Sequence, residues 1–167
     1  YVDTAWCKIG GKWYYFNSIG HMETDWTKVD GKWYYLGSDG AMKTGWQKLG
    51  GSYYFFNSDG SMADGWQKIG GTWYYFNGGA MVTGWKSIGG KYYYFNGDGA
   101  MQTGWVKSGS EWYFLNSDGS MATGWAKVGG VYYYFNNSGA MLATEGTASI
   151  TSQNGSVNTM NKTQTAR

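Results

Sequence analysis

The chain has 167 residues, 20% of them aromatic and only 14% charged, with 29 glycines, no proline and a net charge of +2. So many rings supply too much apolar area for a disordered chain, and the low, spread charge lacks the footprint of a nucleic-acid binder. No run approaches the ~20 apolar residues of a membrane span, and one cysteine (Cys7) with one histidine (His21) is too little for a zinc site or a Cys–His nucleophilic pair.

The opening residues Tyr1–Trp6 align with Ala41–Trp46, so the chain starts inside a loop and is expected to be a fragment or module of a longer protein. Cys7, directly after Trp6, reads as a small apolar filler. From Trp6 onward one pattern recurs. Its first tryptophan stands at Trp6, Trp26, Trp46, Trp66, Trp85, Trp105 and Trp125, spaced by 20 residues with one spacing of 19. Seven residues after each comes a second aromatic, at Trp13, Trp33, Tyr53, Trp73, Tyr92, Trp112 and Tyr132, and a methionine closes each repeat.

The copy from Gly65 to Asn77 shows what each repeat predicts. Two runs of strand formers flank Gly70-Gly71, and paired glycines supply the positive φ angles of a tight hairpin turn. Pairing Ile69 with Thr72 sets Lys68 opposite Trp73, Gln67 opposite Tyr74 and Trp66 opposite Tyr75. Alternation then puts Trp66, Lys68, Trp73 and Tyr75 on one face, and Gln67, Ile69, Thr72, Tyr74 and Phe76 on the other. A lone hairpin is marginal in water, so seven copies must stack; the fold class is an all-β solenoid of hairpin repeats.

Between hairpins, runs such as Asn57-Ser58-Asp59-Gly60 suit left-handed turn positions better than calcium loops. The fourth loop, Asn77-Gly78-Gly79-Ala80, is one residue shorter and is expected to alter the rotation between hairpins four and five. The repeats end at residue 142. Residues 143–167 form a polar tail, rich in Thr, Ser, Asn, Gln and Gly, that reads as a linker or a C-terminal cap.

One aromatic face suffices to line so thin a solenoid. The other is either simply core or an open row of electron-rich pockets. Indole rings with a methionine alongside attract a quaternary ammonium through the ring quadrupole, a use for which choline is a known example. The same rings could stack on sugar faces.

The run Ala100-Met101-Gln102-Thr103-Gly104-Trp105 and its equivalents, followed by Gly-Gly-x-Trp-Tyr-Tyr-Phe-Asn, resemble the choline-binding repeats of pneumococcal-type wall-attached surface proteins and wall hydrolases. The resemblance spans residues 1–142. Glucan-binding repeats share Tyr-Tyr-Phe-Asn but typically lack the second tryptophan and the recurring methionine. The resemblance implies a left-handed superhelix with one choline between neighbouring repeats, caged by two aromatics and the methionine of one repeat and the third aromatic of the next hairpin. Carried over, the cages are Trp6, Trp13, Met22 and Tyr35; Trp26, Trp33, Met42 and Phe55; Trp46, Tyr53, Met62 and Tyr75. After these come Trp66, Trp73, Met81 and Tyr94; Trp85, Tyr92, Met101 and Phe114; and Trp105, Trp112, Met121 and Tyr134.

A lysine recurs on the cage face at Lys8, Lys28, Lys48, Lys68, Lys107 and Lys127. It reads either as a solvated residue whose stem packs on the second aromatic or as a partner for the phosphate of phosphocholine. No carboxylate pair, triad or metal set recurs, so an enzyme is not expected, nor a cofactor. The implied function is multivalent, non-catalytic binding of choline or phosphocholine on teichoic or lipoteichoic acid at the extracellular wall, with neither nucleic acid nor membrane insertion; the rival is a glucan-binding or other carbohydrate-binding domain.

Overall fold

The computed structural model describes residues 5–144, 149–151 and 157–159, and contains no helix among them. The chain divides into two units, residues 1–82 and 83–167. In the first, β1 (Ala5–Ile9) pairs with β2 (Lys12–Phe16), β3 (Asp25–Val29) with β4 (Lys32–Leu36), and β5 (Gly45–Leu49) with β6 (Ser52–Phe56). A fourth hairpin joins β7 (Gly65–Ile69) to β8 (Thr72–Asn77), and β9 (Ala80–Met81) adds a third strand to it. In the second unit β10 (Gly84–Ile88) pairs with β11 (Lys91–Phe95), and β12 (Gly104–Ser108) with β13 (Glu111–Leu115). There β14 (Gly124–Val128), β15 (Val131–Phe135) and β16 (Met141–Thr144) make a three-stranded sheet, and β17 (Ser149–Thr151) pairs with β18 (Val157–Thr159). Strand β16 carries pairing, with a register shift at Tyr134/Phe135, past residue 142 to Thr144; apart from β17 and β18, the remaining residues on which the expectation of a linker or cap rests lie outside those described.

The turns fix the register. Gly70 and Gly71 take φ of 58° and 84°, the two positive values of a type I′ turn. Around them Ile69 pairs with Thr72, Lys68 with Trp73, Gln67 with Tyr74 and Trp66 with Tyr75, as the sequence predicts. Six other hairpins repeat this register.

Within each unit the hairpins stack front to back. The ring of Trp26, on the front of the second hairpin, meets Tyr54 (centroids 4.9 Å) and Phe56 (5.6 Å) on the back of the third. Trp46 meets Tyr74 and Phe76 of the fourth in the same way, at 5.0 and 5.7 Å. In the second unit Trp105 meets Tyr133 and Phe135, at 4.7 and 5.8 Å. The core therefore sits on the back faces: Leu36, Phe56, Phe76, Phe95, Leu115 and Phe135, at or next to the end of each second strand, are wholly buried. Full burial of one such side chain contributes about 1.5–3 kcal/mol.

Within the units, backbone hydrogen bonds tie hairpins to their predecessors. The Met42 N–H donates to the carbonyl of Trp13, Met62 to that of Trp33 and Met121 to that of Tyr92, each at 2.8 Å. Meanwhile Met42 and Met62 bridge back to Leu36 and Phe56 of their own hairpins. The methionine main chain thus lies against the second aromatic of the repeat before it.

The connecting loops are held by their own side chains. Asn57 N–H donates to Ser61 O and Gly60 N–H to Asn57 O, while the Asp59 carboxylate accepts from the Ser61 amide and hydroxyl. The Ser61 hydroxyl holds the Asp59 carboxyl below its ordinary range, its N–H adding to the effect; Ser120 does the same for Asp118. Asp59 is thus engaged as a turn-former. The short fourth loop closes as a two-residue turn, Gly78 and Gly79 at φ 59° and 88°, with Gly79 N–H donating to Asp64.

Candidate functional site

The front face of each hairpin carries the first tryptophan, the second aromatic and, across the strand pair from the first, a third ring. Trp26 and Trp33 meet edge to face at 6.2 Å, Trp66 and Trp73 at 6.1 Å, and Trp105 and Trp112 at 6.4 Å. Edge-to-face packing leaves the two indoles at a steep angle, with room in the corner between them. The second ring is exposed at Trp13, Trp33, Tyr53, Trp73, Tyr92 and Trp112, and the first is exposed at Trp46 and Trp105 as well.

The second unit shows what fills the other sides of that corner. A cavity of about 320 Å³ is lined by Trp85 and Tyr92 of one hairpin, Tyr113 and Met121 of the next repeat, and the loop residues Asn137 and Ser138. Its size is at the low end of the ~300–1,000 Å³ of small-molecule sites. Trp85 and Tyr113 stand 4.9 Å apart.

The ring and cavity contacts group these residues differently from the expected sets in two places. The ring that the next hairpin turns toward Trp85 is Tyr113, not Phe114; Phe114 lies across its own hairpin from Trp105, at 5.1 Å. The other repeats agree. Trp6 meets Tyr34 (4.8 Å), Trp26 meets Tyr54, Trp46 meets Tyr74 and Trp105 meets Tyr133, while Tyr35, Phe55, Tyr75 and Tyr134 lie opposite the tryptophans of their own hairpins. The reason is alternation: stacking is front to back, so a partner ring must come from the next hairpin's back face, and a shift of one residue changes faces.

The methionine moves by one repeat. Met121, not Met101, lines the cavity at Trp85. The side chain of Met101 packs on Gly119, as Met22 packs on Gly40, Met42 on Gly60, Met62 on Gly79 and Met121 on Gly139, where a Cβ would collide with the thioether.

Five sets lie within single units: Trp6, Trp13, Tyr34 and Met42; Trp26, Trp33, Tyr54 and Met62; Trp46, Tyr53, Tyr74 and Met81; Trp85, Tyr92, Tyr113 and Met121; Trp105, Trp112, Tyr133 and Met141. For the third and last, β9 and β16 bring Met81 and Met141 beside β6 and β13, which carry Tyr53 and Trp112. The expected fourth set takes Trp66, Trp73 and Met81 from the first unit and Tyr94 from the second. The contacts add Tyr34, Tyr54, Tyr74, Tyr113, Tyr133 and Met141, which are not in the expected sets. A signal was present: every back-face strand end is Phe or Leu, so the back of each hairpin had to be buried.

The sets carry no ionised group among their four members. Burial, with Asp59 and then Asp30 nearby, pushes the Tyr34 phenol up, keeping it neutral. Each lysine pairs directly with the second aromatic, its ammonium 5.3–6.0 Å from the ring centroid. A trio of rings and a thioether around an uncharged opening stabilises a soft, weakly hydrated cation through the ring quadrupoles.

The family model of the choline-binding repeat matches residues 4–44, 43–83, 82–116 and 103–145. The chain belongs to the choline-binding repeat family. Among solved structures it resembles choline binding protein F of Streptococcus pneumoniae in the presence of a peptidoglycan analogue, at 43% identity and a TM-score of 0.81 over 83% of this chain and 52% of that one. CbpJ of the same species matches at 40% identity and TM-score 0.82, over 92% and 57%. A pneumococcal cell-wall endolysin from phage Cp-1, complexed with choline, matches at 36% identity and TM-score 0.51, over 71% and 37%. The chain thus spans a little over half of the first two. A search of curated protein sequences finds no match.

Proposed function

We propose that residues 1–142 form a non-catalytic, multivalent module that binds choline and phosphocholine on teichoic or lipoteichoic acids and so holds its parent protein at the outer face of a bacterial wall. The observation that carries this reading is the cavity between Trp85, Tyr92, Tyr113 and Met121, which is open, walled by rings, and built from parts that recur down the chain. Family membership and the choline complex of the phage endolysin support the same ligand.

Three ring contacts at about 0.5–2 kcal/mol each give a site in or near the millimolar range, since about 4.1 kcal/mol corresponds to 1 mM. One such site holds free choline weakly. A polymer bearing many phosphocholines engages several at once, and linked binding raises apparent affinity by ~10²–10⁴. Retention on a wall should therefore fall much more steeply than site number when repeats are removed.

The test is a tryptophan-fluorescence titration with choline beside maltose and dextran series. Saturable response to choline, with thermal stabilisation beyond that of sodium chloride at equal ionic strength, is the expected result. A response to sugars alone would overturn the reading in favour of a carbohydrate-binding domain.

A further inference from the structure

Six of the seven repeats set a lysine opposite the second aromatic: Lys8 on Trp13, Lys28 on Trp33, Lys48 on Tyr53, Lys68 on Trp73, Lys107 on Trp112 and Lys127 on Tyr132. The fifth repeat departs from this, with Ser87 opposite Tyr92. The ring of Tyr92 is correspondingly more open, 49% exposed against 39–43% for Trp13, Trp33, Tyr53, Trp73 and Trp112, whose lysine stems lie alongside. The two cations of that hairpin, Lys86 opposite Tyr93 and Lys91 two residues before it, lie on the back face, and Lys91 is close enough to Asp118 to lower its pKa.

The same site differs at its other ring. Trp85 Nε1–H donates to Ser108 Oγ of the next hairpin at 3.1 Å. The matching positions facing Trp6, Trp26, Trp46 and Trp105 are Val29, Leu49, Ile69 and Val128, which offer no side-chain acceptor. The indole of the fifth site is thus pinned by a hydrogen bond, and its partner ring carries no ammonium.

We propose that Ser87 and its lysine counterparts set ligand preference, in an inference that rests on the choline reading above. An ammonium beside the ring draws on the same π density a guest cation would use and repels that cation, but attracts a phosphate attached to it. The lysine-bearing sites favour the phosphate ester of choline over the free cation. The Trp85 site takes a quaternary ammonium with little regard to whether phosphate is attached. Exposed charge pairs of this kind change an equilibrium by about two- to fivefold, and less as salt rises.

The experiment is a titration of the full chain with choline and, separately, phosphocholine at low salt, following the indole N–H signals of Trp85 and Trp105 by two-dimensional NMR. Ser87→Lys is expected to raise the preference for phosphocholine about two- to fivefold at Trp85 and to leave Trp105 unchanged. Lys107→Ser should lower it by a similar factor at Trp105 alone. Lysine already occupies this strand position in the other repeats, so the first variant keeps the hairpin, and the second guards against a local disturbance in the fifth. If Ser87→Lys alters affinity for both ligands by the same factor, or for neither, this inference falls while the choline reading stands. If neither ligand moves either indole in the unaltered chain, both fall together.

Discussion

Exchanging one tyrosine for leucine separates the cage that the geometry builds from the one the repeat pattern suggests. Tyr54 lies on the back of the third hairpin with its ring 4.9 Å from Trp26 and tilted 69° to it; Phe55, the next residue, lies on the front, 5.3 Å from Trp46. Tyr54→Leu keeps apolar bulk and removes a ring. It forfeits an edge-to-face pair worth about 0.5–1.5 kcal/mol of stability, and one wall of the second site, worth about 0.5–2 kcal/mol to a bound cation. At about 1.4 kcal/mol per tenfold change, that wall corresponds to a two- to thirtyfold weaker choline affinity. Isotopic labelling of the methionine methyl groups reads the sites one by one, Met62 reporting on the second and Met81 on the third. Tyr54→Leu should raise the choline concentration needed at Met62 and leave Met81 alone, whereas Phe55→Leu should act on Met81. The opposite pattern, Phe55→Leu weakening the Met62 site while Tyr54→Leu spares it, would refute the front-to-back assignment.

Asp25 holds φ of 68° where the matching residues Gly45, Gly65, Gly84, Gly104 and Gly124 sit at 70–80°; Asp25→Gly should relieve that strain and raise stability by about 0.5–1 kcal/mol, measured by thermal melting. Gly60 and Gly65 both have positive φ, but only Gly60 lies under the Met42 thioether, the space around Gly65 being open. Each change to alanine should cost about 1–2 kcal/mol for the backbone, with Gly60→Ala costing more in denaturant melts and weakening choline at the Trp6 site, where Met42 would be displaced. Because hydrogen bonds depress the Asp59 and Asp118 carboxyls in the folded chain, their contribution is whole above the unfolded value of ~3.9 and is lost as pH falls through the folded one. Amide protection at Gly60 and Ser61 should therefore weaken only as pH falls well below about 4 and, in Ser61→Ala, weaken already at higher pH.

Much of this architecture is legible in the residues. Glycine pairs, or Asp30-Gly31 and Gly109-Ser110 in their place, fix the turns, and alternation outward from them gives the register of the seven repeat hairpins, because both are local effects. What local pattern cannot supply is the direction of stacking. Tyr34 and Tyr35 are adjacent tyrosines of equal size, and the ring pattern alone does not say which one the preceding Trp6 will meet; the signal lies in Leu36, the apolar residue that ends the strand on the same face as Tyr34. That choice is made by Leu36, Phe56 and their equivalents, whose complete burial requires the preceding front face to close over the back face carrying Tyr34. The methionine is displaced for a similar reason. Its main chain bonds backward to the previous repeat while its thioether lies forward on the next loop glycine, and sequence order alone cannot reveal that Met42 serves two neighbours.

Front-to-back contact between hairpins is a heterologous joint: the two surfaces that meet are different, and every repeat carries both. A joint of that kind has no natural stopping point. Tandem duplication of one twenty-residue stretch inserts a hairpin whose two sides already match both new neighbours, and each insertion creates one more pocket without altering those in place. Under the proposed function, grip on a polymer can therefore be tuned by adding or removing repeats, in whole steps of one ligand, with no new interface to invent.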